Sequence, residues 1–91
     1  MSDFANKSVI VTGGAKGIGA GIVRAFAAAG ARVACIDVDA TAGAALVAEA
    51  DDIKGEIRFF EADASDGARC KEVCDGVTGE WGGIDVLCNN V

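Results

Sequence analysis

Between Thr12 and Gly19 the chain reads Thr-Gly-Gly-Ala-Lys-Gly-Ile-Gly, and a carboxylate, Asp37, follows 18 residues after Gly19. The glycines at 13, 17 and 19 leave the backbone bare. If a helix begins there, its first N–H groups have no partner within the helix and carry the positive end of its dipole. Bare amides at a helix start suit a phosphate or diphosphate. A Cβ at such a turn would keep the anion away or block the contact between helix and strand. Asp37 is placed to accept hydrogen bonds from neighbouring sugar hydroxyls. The spacing is G-x-x-x-G-x-G, not G-x-G-x-x-G. Lys16 reads as a solvated lysine beside that anion. Asp63 reads as a turn cap, and Asn89-Asn90 as strand-end turn residues.

These residues need a scaffold, and the hydropathy pattern supplies one. Ser8–Thr12 is a short apolar run of the kind buried on both faces of a sheet. From Gly17 to Ala29 the period becomes helical, with Ile18, Ile22, Val23 and Phe26 as the expected packing face and Gly30 as the stop. Arg32–Asp37 is a second buried strand. Asp39 is an N-cap for a helix over Ala40–Ala50 that packs through Leu46 and Val47. Asp51–Gly55 is a polar turn and Glu56–Glu61 a third strand. Ser65 or Asp66 caps a third helix, whose apolar stripe is Cys70, Val73, Cys74, Val77 and Trp81. Gly82-Gly83 ends that helix, and Ile84–Asn89 is a fourth strand. Trp81 is expected to anchor helix to sheet, and Asp85 to be a solvated turn residue. The order β-α-β-α-β-α-β predicts parallel strands, right-handed crossovers and a doubly wound α/β sheet.

Composition narrows the function classes. The chain has 91 residues, a net charge of −6 and 52% hydrophobic residues. That is the composition of one small globular domain and not of a disordered segment. The eight Lys and Arg are scattered, which argues against a nucleic-acid backbone or an anionic membrane as partner. No apolar run approaches the ~20 residues of a membrane span, and Met1–Lys7 lacks the layout of a signal peptide. A cytoplasmic setting is expected. Cys35, Cys70, Cys74 and Cys88 contain no C-x-x-C pair, and the chain has no histidine. They read as reduced, buried thiols, with no metal site.

Taken together, the motifs resemble the N-terminal part of the short-chain dehydrogenase/reductase family. Its T-G-x-x-x-G-x-G pattern matches Thr12–Gly19, and its acid after the second strand matches Asp37. Its D-[V/A] pair after the third strand, which contacts adenine, matches Asp63-Ala64. Its N-N-A-G motif, whose first asparagine lines the cofactor groove and whose second ties neighbouring strands, matches Asn89-Asn90, with Val91 in place of alanine. The resemblance implies a Rossmann-type three-layer α/β fold, with residues 1–91 as a partial NAD(P)-binding domain. It implies a cofactor site of Gly13, Ala15, Lys16, Gly17, Ile18, Gly19, Asp37, Asp63, Ala64 and Asn89. NAD is expected over NADP, because the Asp37 carboxylate would repel a 2′-phosphate; Lys16 argues the other way.

The same resemblance implies interconversion of an alcohol and a ketone by hydride transfer, using a serine, a tyrosine and a lysine. No position here matches that trio, and the sequence contains no tyrosine. The chain alone is therefore expected to be inactive, as part of a longer reductase that binds a small alcohol or ketone and forms homo-oligomers. The fourth strand, with Val86, Leu87 and Cys88, is expected to be an exposed edge prone to self-association. Two alternatives stand beside this reading: a stand-alone non-catalytic nucleotide-binding or regulatory module, and a doubly wound protein that binds no dinucleotide.

Overall fold

The computed structural model describes residues 4–52 and 54–90. Expectations that touch residues 1–3, Ile53 in the Asp51–Gly55 turn, and Val91 lie outside the described residues. Four strands, β1 (Ser8–Thr12), β2 (Arg32–Asp37), β3 (Glu56–Glu61) and β4 (Val86–Asn89), alternate with three helices, α1 (Gly17–Ala28), α2 (Ala40–Ala48) and α3 (Gly67–Trp81). The strands form one parallel sheet in the order β3-β2-β1-β4. The register sets Val11 beside Cys35 on one side and Cys88 on the other. The chain thus winds outward from β1 to β3 and then returns to the opposite flank of β1. At such a reversal the segments leaving the two strands diverge, and a crevice opens beyond the carboxyl ends of the strands.

Alternation along each strand builds two cores. Val9, Val11, Val33, Cys35 and Ile57 face α1 and α2, where they meet Ala20, Val23, Ala27 and Leu46. Ile10, Ala34 and Ile36 face α3, where they meet Val73 and Val77. This is the three-layer α/β arrangement expected from the alternating pattern. The central strands carry most of the buried side chains; Val9, Val11, Val33 and Ile36 are all 0% exposed. Truncating Ile10, which is 1% exposed, to alanine would cost about 2–5 kcal/mol.

Several local expectations are corrected. Ile18 does not pack on the sheet; it is 78% exposed. The buried stripe of α1 is Gly19, Ala20, Val23 and Ala27. At about 100° per residue this stripe lies on the far side of the helix from Ile18. Small residues let α1 settle close to β1, while Ile22 and Phe26 flank the contact. The α1 helix ends at Ala28, with Ala29 as C-cap and Gly30 following at φ 96°. The α2 helix stops at Ala48 and tightens into a 3-10 turn over Glu49–Asp52.

Asp66 caps α3, its carboxylate accepting from the Arg69 N–H at 3.1 Å. Gly82 ends the helix in the left-handed region at φ 84°. The strand expected over Ile84–Asn89 begins only at Val86. Asp85 is not a purely solvated residue: its N–H donates to the Ser8 carbonyl, and its carboxylate accepts from the Ser8 N–H, each at 2.8 Å. A side chain thus replaces a backbone carbonyl at the first rung. Trp81 is half-buried on the α3 side of the sheet, with the guanidinium groups of Arg32 and Arg58 over its ring at 5.5 and 5.3 Å. Of the four thiols only Cys35 is buried; Cys70, Cys74 and Cys88 are half-buried. Leu87 on the β4 edge is 63% exposed. Among the described residues no helix is long and apolar enough to cross a membrane.

Candidate functional site

The carboxyl ends of β1, β2 and β3 and the start of α1 converge on one side of the sheet. Immediately after β1, Gly13 adopts φ 64° and donates its N–H to the Ile36 carbonyl at 2.8 Å. A Cβ on Gly13 would collide with the Asn90 carbonyl. A Cβ on Gly19 would collide with the Gly13 carbonyl and the Asn90 side chain. Gly17 differs: nothing surrounds its missing Cβ, but φ is 58°, a left-handed value that costs a residue with a side chain about 1–2 kcal/mol. Space therefore dictates glycine at 19, backbone conformation dictates it at 17, and both dictate it at 13.

The α1 helix starts open. Its N-cap, Lys16, is extended and makes no side-chain hydrogen bond to the helix, and no acidic residue stands in the first turn. The N–H groups of a first turn have no intrahelical acceptor. Here they lie beside a backbone stripped of side chains. The side chain of Ile18 projects outward from the same turn.

Asp37 closes the other side. Its carboxylate accepts from the Ala15 N–H at 3.1 Å and from the Asp39 N–H at 3.0 Å. Two backbone donors fix its orientation, and each oxygen keeps a lone pair for a further donor. Cys35, buried in the core two residues before it, has its thiol pushed up to about 12, by burial first and then by the Asp37 charge. Asp39 caps α2 by accepting from the Ala42 N–H at 2.9 Å, and faces the Lys16 ammonium at 3.3 Å. The Ala42 N–H, followed by Lys16, holds the Asp39 carboxyl below its ordinary range.

A hollow of about 160 Å³ opens between the ends of β2 and β3, lined by Gly13, Ile36, Asp37, Val38, Ala62, Asp63 and Ala64. Asp63 makes a local turn, its Oδ1 accepting from both the N–H and the hydroxyl of Ser65 at 2.8 Å. The Ser65 N–H first, and then its hydroxyl, lower the Asp63 pKa. The turn-cap reading of Asp63 thus describes its contacts, and the same residue also lines the hollow.

On the β4 side, Thr12 ties the strand ends together. Its hydroxyl donates to Asn89 Oδ1 at 2.8 Å and accepts from the Asn90 N–H at 3.2 Å. Asn90 Nδ2 donates to the Gly13 carbonyl at 3.3 Å. Both asparagines therefore lace β4 to the glycine turn.

Of the residues singled out from sequence, Gly13, Asp37, Asp63 and Ala64 meet in the hollow. Ala15, Lys16, Gly17, Ile18 and Gly19 form the turn and the helix start beside it, and Asn89 lies across β1. Sequence reasoning missed Ile36, Val38 and Ala62, which line the hollow as immediate neighbours of Asp37 and Asp63. The tie between strands through Asn90 was expected, but Thr12 as the partner of both asparagines was missed. Position at a strand end was the available signal for all four. The arrangement can hold an anion on backbone amides, a flat group in the hollow and a hydroxylated ring against Asp37. Because the chain has neither tyrosine nor histidine, the proton-transfer groups most often used at neutral pH are missing.

Comparison with known proteins agrees with this geometry. A family model described as short chain dehydrogenase matches residues 7–91. The D-threitol dehydrogenase of Mycolicibacterium smegmatis is 42% identical over 84 residues, covering 92% of this chain and 32% of that protein. The galactitol 2-dehydrogenase of Agrobacterium fabrum is 41% identical over 88 residues, covering 93% and 32%. A metagenomic short-chain oxidoreductase solved in complex with NADP superposes with a TM-score of 0.91 at 32% identity, covering 99% of this chain and 41% of its own. The chain spans about a third of the length of the curated relatives it matches. With a matching family model over nearly its whole length and relatives above 40% identity, the chain belongs to the short-chain dehydrogenase family.

Proposed function

We propose that residues 1–91 are the part of a short-chain dehydrogenase that holds the adenosine and diphosphate of a nicotinamide dinucleotide. The observation that carries this is the pairing of an uncapped α1 start with an oriented carboxylate across one hollow. In this reading the amides around Gly17, Ile18 and Gly19 take the diphosphate. Gly13 and Gly19 let the turn pack against Asn90 and against itself, which holds those amides in place. Ala15 and Lys16 shape the turn, and Ile18 covers the anion. Asp37 accepts from the ribose hydroxyls; Asp63 and Ala64 border the base; Asn89 walls the groove beyond β1. The residues fit such a group: the first turn of α1 has no side-chain cap and no acidic residue, beside a hollow whose Asp37 carboxylate is fixed by two N–H groups.

NAD is preferred over NADP in this reading. The hollow is lined by two carboxylates, Asp37 and Asp63, and among the described residues lining it there is no basic side chain. Asp37 is already fixed by two N–H groups and would face a 2′-phosphate with like charge. The neighbour solved with NADP makes this preference the point to test. Lys16 is occupied with Asp39 and is 68% exposed, which supports weighting Asp37 more heavily.

The bound dinucleotide would supply hydride transfer between an alcohol and a ketone. The complete protein, acting on a small hydroxylated substrate as a homo-oligomer, would supply the proton-handling residues that this chain lacks. Four free thiols suit the reducing cytoplasm.

Calorimetric titration of the chain with NAD and NADP tests the proposal. Saturable binding of NAD, tighter than NADP, is expected. Binding of neither contradicts the site, and tighter NADP binding contradicts the role given to Asp37. No turnover is expected from the chain alone with any polyol.

A further inference from the structure

The hollow is walled partly by the sheet and partly by a turn. On the sheet side the Asp37 carbonyl accepts from the Ala62 N–H at 3.0 Å. Beyond Ala62 the chain leaves the sheet, and Asp63 and Ala64 line the hollow from the turn that leads into α3. The contacts of Asp63 Oδ1 to Ser65 lie inside that turn, so they shape it without fixing it to α3. The ties to α3 come from Asp66 and Cys70. The Asp63 carbonyl accepts from the Asp66 N–H at 2.9 Å and from the Cys70 thiol at 3.6 Å. The Ala64 carbonyl accepts from the same thiol at 3.8 Å. A helical side chain leans toward the start of its helix. Cys70, whose N–H bonds the carbonyl of the N-cap Asp66 at 3.0 Å, therefore projects back over the turn. Cys74, one helical turn later, packs instead against the second core with Val73 and Val77.

Resting on the reading of the hollow given above, we infer that Cys70 is a positioning residue: its thiol, shared between the Asp63 and Ala64 carbonyls, holds the turn where the hollow admits the base of a dinucleotide. The thiol acts through the two carbonyls and not on the ligand. Each S–H contact is weak, but the turn it holds is short, and Asp63 is exposed.

Two alanine variants, one helical turn apart, separate positioning from stability. Cys74→Ala removes a sulfur from the second core. It is expected to lower the urea midpoint more than Cys70→Ala does, yet to leave the NAD affinity of the chain within about twofold in calorimetry. Cys70→Ala is expected to weaken NAD by about fivefold, the size of one weak hydrogen bond. Cys70→Ser, which keeps a donor, is expected to return the affinity to within about twofold of wild type.

Methyl methanethiosulfonate reaches the same bond without mutation. The Cys70 thiolate attacks the sulfenyl sulfur, methanesulfinate leaves, and the cysteine carries a methylthio group and no S–H. NAD affinity should fall by at least about fivefold and return with dithiothreitol, while treated Cys70→Ala should change by less than about twofold. Affinity losses that track the urea midpoints of both alanine variants would overturn the inference. So would the absence of recovery in Cys70→Ser, or an equal effect of the reagent on Cys70→Ala. If the wild-type chain binds NAD and Cys70→Ala binds it equally well, the hollow keeps its role and Cys70 loses this one. If the wild-type chain binds no dinucleotide, the proposed site itself fails and the inference falls with it.

Discussion

The α1, α2 and α3 helices all follow the carboxyl end of a strand, yet they begin in two different ways. The α2 start is closed by Asp39, which accepts from the Ala42 N–H at 2.9 Å. The α3 start is closed by Asp66, which accepts from the Arg69 N–H at 3.1 Å. The α1 start has Lys16 as its N-cap, with no side-chain acceptor and no acid in the first turn. An aspartate cap contributes about 1 kcal/mol, and the chain omits it only at the helix surrounded by Gly13, Gly17 and Gly19. Two helix starts are satisfied by the protein's own carboxylates. In the proposed function the third takes an anion from outside, and the stability forgone there would be recovered when that anion binds.

The largest expected effect breaks the open start by filling it. Gly19→Val drives side-chain atoms into the Gly13 carbonyl and Asn90. It should destabilise the chain by about 1–3 kcal/mol in urea titration and remove dinucleotide binding in calorimetry. Lys16→Ser sharpens the comparison by making α1 begin as α2 and α3 do. The extended backbone of Lys16, φ −139° and ψ 159°, suits a cap. Stability should rise by about 0.5–1 kcal/mol, while dinucleotide affinity falls about fivefold as the hydroxyl competes for the same amides. A gain in both would mean that the first-turn amides are not the anion site.

At the closed starts, Asp66→Ala should cost about 1 kcal/mol and Asp66→Asn a few tenths, read from urea midpoints, with dinucleotide affinity unmoved. The smallest effect is on pH dependence. Asp39 has a folded pKa depressed chiefly by the Ala42 N–H and then by Lys16. Its contribution is therefore present above the unfolded carboxylate value of about 4 and is lost as pH falls through the lower folded value. The stability advantage of the wild type over Asp39→Ala should shrink as pH falls below about 4. An advantage that grows on acidification would contradict the capping role.

Element order and layers could be read from sequence because the signals are local and strong. Ser8–Thr12 and Arg32–Asp37 are continuous apolar runs, and the glycine turn with Asp37 marks one site at a defined spacing. What failed required knowing which way a side chain points. Ile18 has the right residue type for a core and the wrong angular position, because the helix settles on Gly19, Ala20, Val23 and Ala27. Asp85 looked solvated because a carboxylate replacing a backbone carbonyl at a strand's first rung leaves no mark in composition. The second duty of Asp39, toward Lys16, joins residues 23 apart in sequence, and no periodicity records it. Val38 and Ala62 line the hollow only because parallel pairing sets the ends of β2 and β3 side by side, from Arg32 against Glu56 to Asp37 against Glu61.

Amide-resolved NMR titration of the chain with NAD tests the central claim most directly. The account predicts that the N–H resonances of Gly17, Ile18 and Gly19 move together and saturably, while those of Ala42 and Arg69, already bonded to Asp39 and Asp66, stay in place. Shifts spread equally over all three helix starts, or none at Gly17–Gly19, would contradict it.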